Sequence, residues 1–218
     1  MALLSHSRGR LTGPPSGRSL VVHKEVALLH RLPAAAAGAA LLALPLQAST
    51  PLHRYTLDAA SAVQARVAFF GLSSKTAGFP RLTGQVVLDP ARLDRIDLDV
   101  SIDARAITAP DKVTLARLKG KDFFDVEHYP TVRYRGTAMT MTGPASADVR
   151  GELTARGVTR PSILKVTFAT PPGQITGREP VAITGRTEID RRDFGMTAWP
   201  MIVGRKVTIT LKARMVPG

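Results

Sequence analysis

The chain reads as an all-β protein, and three observations carry that reading. From Tyr55 onward apolar and polar residues alternate with a period of two, clusters of Gly, Pro, Ser and Thr separate the alternating runs, and only one segment shows a convincing helical pattern. Many one-sided strands in succession suggest an up-and-down antiparallel barrel or a sandwich, and strands of about ten residues favour the barrel.

The first run, SAVQARVAFFG (61–71), places Val63, Ala65, Val67 and Phe69 on one face. GQVVLD (84–89) follows, and then the clearest run, RIDLDVSID (95–103), sets Ile96, Leu98, Val100 and Ile102 against Asp97, Asp99, Ser101 and Asp103. That is a strand with one dry and one wet face. The stretch DKVTLARLKGKDFF (111–124) is the helical one, with the helix placed over 111–121. TVRYRGTAM, ADVRGELTA, ILKVTFAT, PVAITGRTEID and KVTITLKARM then complete about eight strands, divided by TGPAS, RGVTRP and TPPGQITG. The interior of such a barrel is either packed with side chains or holds one small ligand.

Ahead of this domain, residues 1–31 carry Arg8, Arg10, Arg18, Lys24 and Arg31, and Leu32 to Leu52 run without a charge. A basic segment, an Ala/Leu-rich segment and the small residue Ala48 match a secretory signal spanning 1–48, which leaves 49–218 as the mature domain and places it in the periplasm. Pro33, Pro45 and the weakly hydrophobic alanines weigh against a membrane anchor. The basic segment is long for a signal, and a start nearer Val22 or Val26 would leave an ordinary one.

Of 30 Lys and Arg and 17 Asp and Glu, five and one respectively precede Ser49, so the mature domain carries 25 against 16, a net +9. That charge favours solubility and anionic partners. Nucleic acid is not expected among them, for the aromatics sit at apolar positions and no nucleic-acid module is present. There is no Cys, and only His53 and His128 follow the cleavage point, which argues against zinc, haem, iron–sulfur and cysteine-nucleophile chemistry.

Several short patterns imitate catalytic motifs. Ser162 and Lys165 match S-x-x-K, but in a strand positions three apart face opposite ways. Asp97, Asp99 and Asp103 fit a solvated strand face better than acid–base chemistry, and DFFDVEHYP, with Asp122, Asp125, Glu127 and His128, fits a polar turn better than a metal site. Asp193-Phe194-Gly195 repeats a kinase triplet without the Gly-rich loop, lysine and catalytic loop that triplet requires. It opens instead a long connection, RRDFGMTAWPMIVGR, containing Phe194, Met196, Trp199, Met201, Ile202 and Val203. If the flanking strands form a hairpin, Arg191 and Arg192 lie beside Arg205 and Lys206. This is either the cationic rim of a pocket for an amphiphile with an anionic or polar head, or an apolar plug in the barrel end.

Four blocks, YTLDAASAVQARVAFFG, KGKDFFDVEHYPTVRY, GELTARGVTRPSILKVTF and TEIDRRDFGM, together resemble the YceI-like family of exported bacterial proteins. The resemblance runs from about Tyr55 to the C-terminus. It implies an extended lipocalin-like antiparallel barrel with a helix, an apolar tunnel, and a bound polyisoprenoid chain such as an isoprenoid quinone. Relatives usually carry His at the positions of Arg117 and Arg156 and a more polar segment in place of FFGLSSKTAGFPRLTG, so the ligand is less defined than the barrel.

Periodicity and resemblance together identify a periplasmic binding or carrier protein without a catalytic residue, resident cofactor or metal. The tunnel lining is expected from Val67, Phe69, Leu98, Val100, Phe123, Tyr134, Leu153, Phe168, Phe194, Trp199 and Ile209, with Arg191, Arg192, Arg205 and Lys206 as polar rim. An isoprenoid lipid is the expected partner, and a membrane or membrane-redox partner and a homodimer are left open. The alternative is an enzyme on an apolar substrate, working through the Asp122–His128 cluster or Asp193; a weaker one is docking on anionic membranes through the cations.

Overall fold

The computed structural model describes residues 51–218, so the signal assigned to 1–48 lies outside the described residues. Ten strands form one antiparallel sheet: β1 (His53–Leu57), β2 (Ala62–Phe69), β3 (Ser73–Phe79), β4 (Leu82–Leu88), β5 (Arg95–Asp103), β6 (Thr131–Gly143), β7 (Ser146–Ala155), β8 (Val158–Phe168), β9 (Val181–Asp190) and β10 (Val203–Pro217). One α-helix, α1 (Lys112–Lys119), lies between β5 and β6. Among the described residues no helix is long and apolar enough to cross a membrane.

The ten strands make a closed barrel of eight staves. β1 and β2 run in the same direction along one edge of β10, with Leu57 opposite Met215 and Ala62 opposite Lys212, so they are one stave broken at the turn Asp58–Ser61. β3 and β4 are likewise both antiparallel to that stave and are separated only at Pro80 and Arg81. The expected number of strands is therefore recovered, but two of them appear in the sequence as halves. β1 is five residues long, and β3, SSKTAGF, lacks alternation because much of it is polar and exposed.

Alternation elsewhere translates directly into burial. Ile96, Leu98, Val100 and Ile102 of β5 are all buried, as are Val132 and Tyr134 of β6 and Leu164, Val166 and Phe168 of β8. Their polar neighbours lie outside, where Asp99 of β5 pairs with Arg133 across the strand and accepts from its Nε at 2.7 Å. The Arg133 guanidinium holds the Asp99 carboxyl below its ordinary range. Ser162 and Lys165 sit within β8, and Ser162 bonds Thr187 at 3.1 Å, so the S-x-x-K pattern belongs to a strand.

The staves differ in length, and this sets where the site lies. β5 ends at Asp103 and β6 begins at Thr131, whereas β3 continues to Ser73 and β9 to Asp190. The resulting gap at one end is covered by the 104–130 connection, whose Thr108 exchanges two backbone hydrogen bonds with Gly78 on the free edge of β3. The helix is shorter than expected: it stops at Gly120, and Phe123 and Phe124 lie in the following turns. A second opening lies between β8 and β9, which pair only over Lys165–Phe168.

Closest approach occurs where Gly151 of β7 faces Gly136 of β6, beside an irregularity in register. A Cβ on Gly151 would come within 2.0 Å of the Arg135 carbonyl oxygen. Gly151→Ala must therefore push β6 and β7 apart, and it is expected to cost about 1–3 kcal/mol by overpacking, read as a lowered melting temperature by circular dichroism.

Candidate functional site

The inward faces do not meet. They leave a cavity of about 260 Å³ that runs from Phe69 and Trp199 at one end of the barrel to Leu88, Phe168 and Met215 at the other. Nearly all of its lining is aliphatic or aromatic, with Tyr134 and a few threonines the only uncharged polar residues. The Tyr134 hydroxyl is turned into the wall, donating to the Val149 carbonyl at 2.9 Å, and burial raises its pKa to about 12, so it presents no anion. The charged lining residues are Lys75, Arg117 and Arg191, and no carboxylate joins them.

Of the residues expected to line a tunnel, Val67, Phe69, Leu98, Val100, Phe123, Tyr134, Leu153, Phe168, Trp199 and Ile209 all face this cavity. Phe194 does not. It is buried in the core but borders the recess at the opening between β8 and β9, which it shares with Ser162, Thr187 and Ile189. The short 3-10 turn Arg191–Phe194 places it off the cavity wall, and Gly195 then reverses the chain with φ +74°, a left-handed conformation suited to glycine.

The expected polar rim is also corrected. The β9–β10 hairpin exists, with Asp190 opposite Lys206, but its cations serve other partners. Arg205 pairs with Asp190 at 2.9 Å and Lys206 with Glu188 at 2.9 Å, and Arg192 lies 3.6 Å from Asp190. None of these three lines the cavity. Asp190, rather than Asp193, caps the turn, accepting from the Arg192 amide, while the Asp193 backbone carbonyl accepts from Arg160.

Arg191 is only 3% exposed and acts as a clamp. Its guanidinium donates to the carbonyls of Met196, Val203 and Gly204 and packs 5.8 Å from the Phe123 ring centroid. Both ends of the apolar loop are thus tied to one side chain, with burial and the neighbouring Arg192 drawing its pKa below the ordinary value. Two further arginines hold the same loop. Arg156 donates to the carbonyls of Gly195 and Lys121, and Arg117 of α1 lies 4.7 Å over the Trp199 ring. Arg117 and Arg156, where the family resemblance leads one to expect His, both belong to this latch.

Lys75 was not singled out by the sequence reading, because β3 has no alternation to orient it. It lies 5.4 Å over the Phe69 ring and pairs with Asp111 at 3.3 Å, which joins the free edge of β3 to the start of α1. Asp111 also caps the helix, accepting from the Thr114 amide and hydroxyl, both at 2.8 Å. These bonds hold its carboxyl at about 2.

The other sequence candidates do not converge. His128 bonds Asp125 at 2.9 Å on an exposed turn. Among the described residues no group of three or more His, Cys, Asp or Glu side chains comes together as a metal ion would need. What the arrangement can do is enclose a long apolar molecule and place cations beside one end of it.

A closed antiparallel barrel with an apolar lengthwise cavity defines the lipocalin-like fold class. Within that class the chain belongs to the YceI-like family, whose domain model matches residues 55–215. A UPF0312 protein of Vibrio cholerae is 24% identical over 161 residues, covering 72% of this chain and 84% of its own. Among solved structures, Burkholderia cenocepacia BcnA is similar with a TM-score of 0.65 at 24% identity, covering 72% of this chain and 98% of its own. A polyisoprenoid binding domain from Saccharophagus degradans, implicated in plant cell wall breakdown, is similar with a TM-score of 0.57 at 14% identity, covering 77% and 100%.

Two outcomes test this description of the mouth. Arg191→Met leaves three carbonyls without their donor, and charged hydrogen bonds of this kind make a loss of about 3 kcal/mol or more the expected result; urea denaturation measures it, and Trp199, the only tryptophan in the chain, reports release of the loop through its emission. Asp111→Ala is expected to destabilise the protein at neutral pH. Because the folded carboxyl is depressed, that difference in melting temperature should vanish as pH falls from about 3.8 through about 2.

Proposed function

We propose that this protein is a binding or carrier protein for a polyisoprenoid-type lipid, held lengthwise in the barrel with its polar or anionic head beside Lys75 and Arg117. The observation that carries the reading is the lengthwise apolar cavity whose charged lining residues are all cations grouped at one end. Burial of apolar surface supplies roughly 25 cal/mol per Å² before the costs of binding, so an extended chain of isoprene units needs no catalytic group to be retained. The polyisoprenoid binding domain of Saccharophagus degradans supports the class of ligand through its shared fold. The basic and apolar segments before Ser49 support export to the periplasm as the setting.

Organic extraction of protein recovered from the periplasm of an exporting host, followed by mass spectrometry, should yield a stoichiometric isoprenoid lipid and a mature chain beginning at Ser49. Ile209→Trp, which places a larger ring in the lumen, should reduce isoprenoid uptake by about tenfold or more. A protein that emerges empty and takes up no isoprenoid sinks the ligand, and an unprocessed chain retained in the cytoplasm sinks the location.

A further inference from the structure

Eight large hydrophobic side chains are exposed among the described residues, and five of them, Phe70, Leu72, Val113, Trp199 and Met201, gather at the cavity mouth. Leu72 is 97% and Met201 91% exposed, so neither contributes to the core. They sit at the tips of two adjoining turns, for the Phe70 amide donates to the Ile202 carbonyl at 2.8 Å. Val113 belongs to α1, which meets the second turn through Arg117 and Trp199.

The backbone favours this display. Phe70 and Trp199 have φ of 52° and 56°, left-handed conformations that are outliers for bulky residues and cost about 1–3 kcal/mol each. Only glycine adopts these conformations without strain, and both positions carry a bulky aromatic instead. A contiguous exposed apolar patch of this kind marks an interaction site in a protein of this size.

Charge indicates what covers it. Lys75 and Arg117 line the mouth, and Lys112, Lys119 and Lys121 lie along and just beyond α1, bracketed by Asp111 and Asp122, so cations outnumber carboxylates there. A second copy seated on the same face would bring these cations against their own likenesses, which is unfavourable. An anionic bilayer complements them and accepts the protruding side chains.

We propose that the mouth end of the barrel is a docking face for anionic lipid bilayers, with Phe70, Leu72 and Met201 entering the acyl boundary and the helix cations meeting the headgroups. Docked in this way, the cavity opens directly into the membrane, and a lipid passes between the two without crossing water. The purpose of docking rests on the lipid-carrier reading, whereas the face itself stands on its own geometry.

The test uses the full chain and Trp199, which lies within the face and is the only tryptophan, so its emission is insensitive to any membrane contact of the leader. Vesicles of phosphatidylglycerol and phosphatidylcholine in equal parts, with bromine on the acyl chains, should shift the emission to the blue and quench it; pure phosphatidylcholine should do so far less, and salt should weaken the effect. Leu72→Asp combined with Met201→Asp should weaken partitioning by about tenfold or more, with circular dichroism showing that the double variant is folded. Neither residue lines the cavity, so uptake of a short-chain isoprenoid quinone from vesicle-free solution should be unchanged.

Quenching that is absent, or equally strong in the double variant, overturns the docking face. So does self-association through the tip, seen by sedimentation and abolished by the same variant. If quinone enters but vesicles do not quench, docking alone fails; if vesicles quench but no quinone enters, the carrier reading fails and the docking face stands.

Discussion

The structure depends on the seam between its first and last staves. β10 pairs with β9 along one edge, and along the other it receives β2 from Val203 to Lys212 and β1 from Met215 to Pro217. At the break between those partners, Arg214 pairs with Asp58 at 2.9 Å and donates its amide to the Ser61 hydroxyl at 3.2 Å. Closing the sheet pairs most of the edges that would otherwise invite aggregation, and what remains is the free edge of β3 and the opening between β8 and β9. It also forces the inward faces around a central void, because eight tilted staves set a diameter that their side chains here do not fill.

Once the ring is closed, stave length decides where the void communicates with its surroundings. At the end where β5–β8 stop short, the wall continues as α1 and the loop between β9 and β10, neither of which belongs to the sheet. These pieces are fastened by side chains rather than by a backbone ladder: Arg191 and Arg156 to carbonyls, Arg117 to an aromatic face, and Lys75 to Asp111. The interior is apolar, while its entrance is built from cations already engaged with protein groups. An arriving anionic head would share them with carbonyls and a ring, and the one carboxylate it would compete with is Asp111.

The walls were legible in the sequence because each wall residue is fixed by its immediate neighbours. In a strand, the position of Leu98 or Ile209 relative to the polar residue beside it is enough to assign its face, and that logic placed Val67, Phe69, Leu98, Val100, Tyr134, Leu153, Phe168 and Ile209 on the cavity wall, whereas Phe123 and Trp199 reach it from outside the strands. Phe194 escaped it because a 3-10 turn, not a strand, sets its direction. Arg191 was expected at the polar rim and does line the cavity, but its role as a clamp follows from the carbonyls of Met196, Val203 and Gly204, which only the folded loop brings together. The broken staves were hidden for a related reason. β3 is held by its pairing with β2 and its bridge to Thr108, so its own residues carry little pattern.

The seam has a further meaning in time. The groups it joins, such as Asp58 and Arg214, are 156 positions apart along the chain, whereas β5 through β8 form a meander of neighbouring hairpins. Bringing such distant segments together carries the largest loop-closure entropy in the fold, so local hairpins form readily and the ring shuts late. Until it shuts, there is no lumen, and the apolar faces of every stave are open to water. A chain of this design must therefore spend part of its assembly as a greasy, half-rolled sheet, and the hairpin-by-hairpin meander is what keeps that stage local until the distant ends meet.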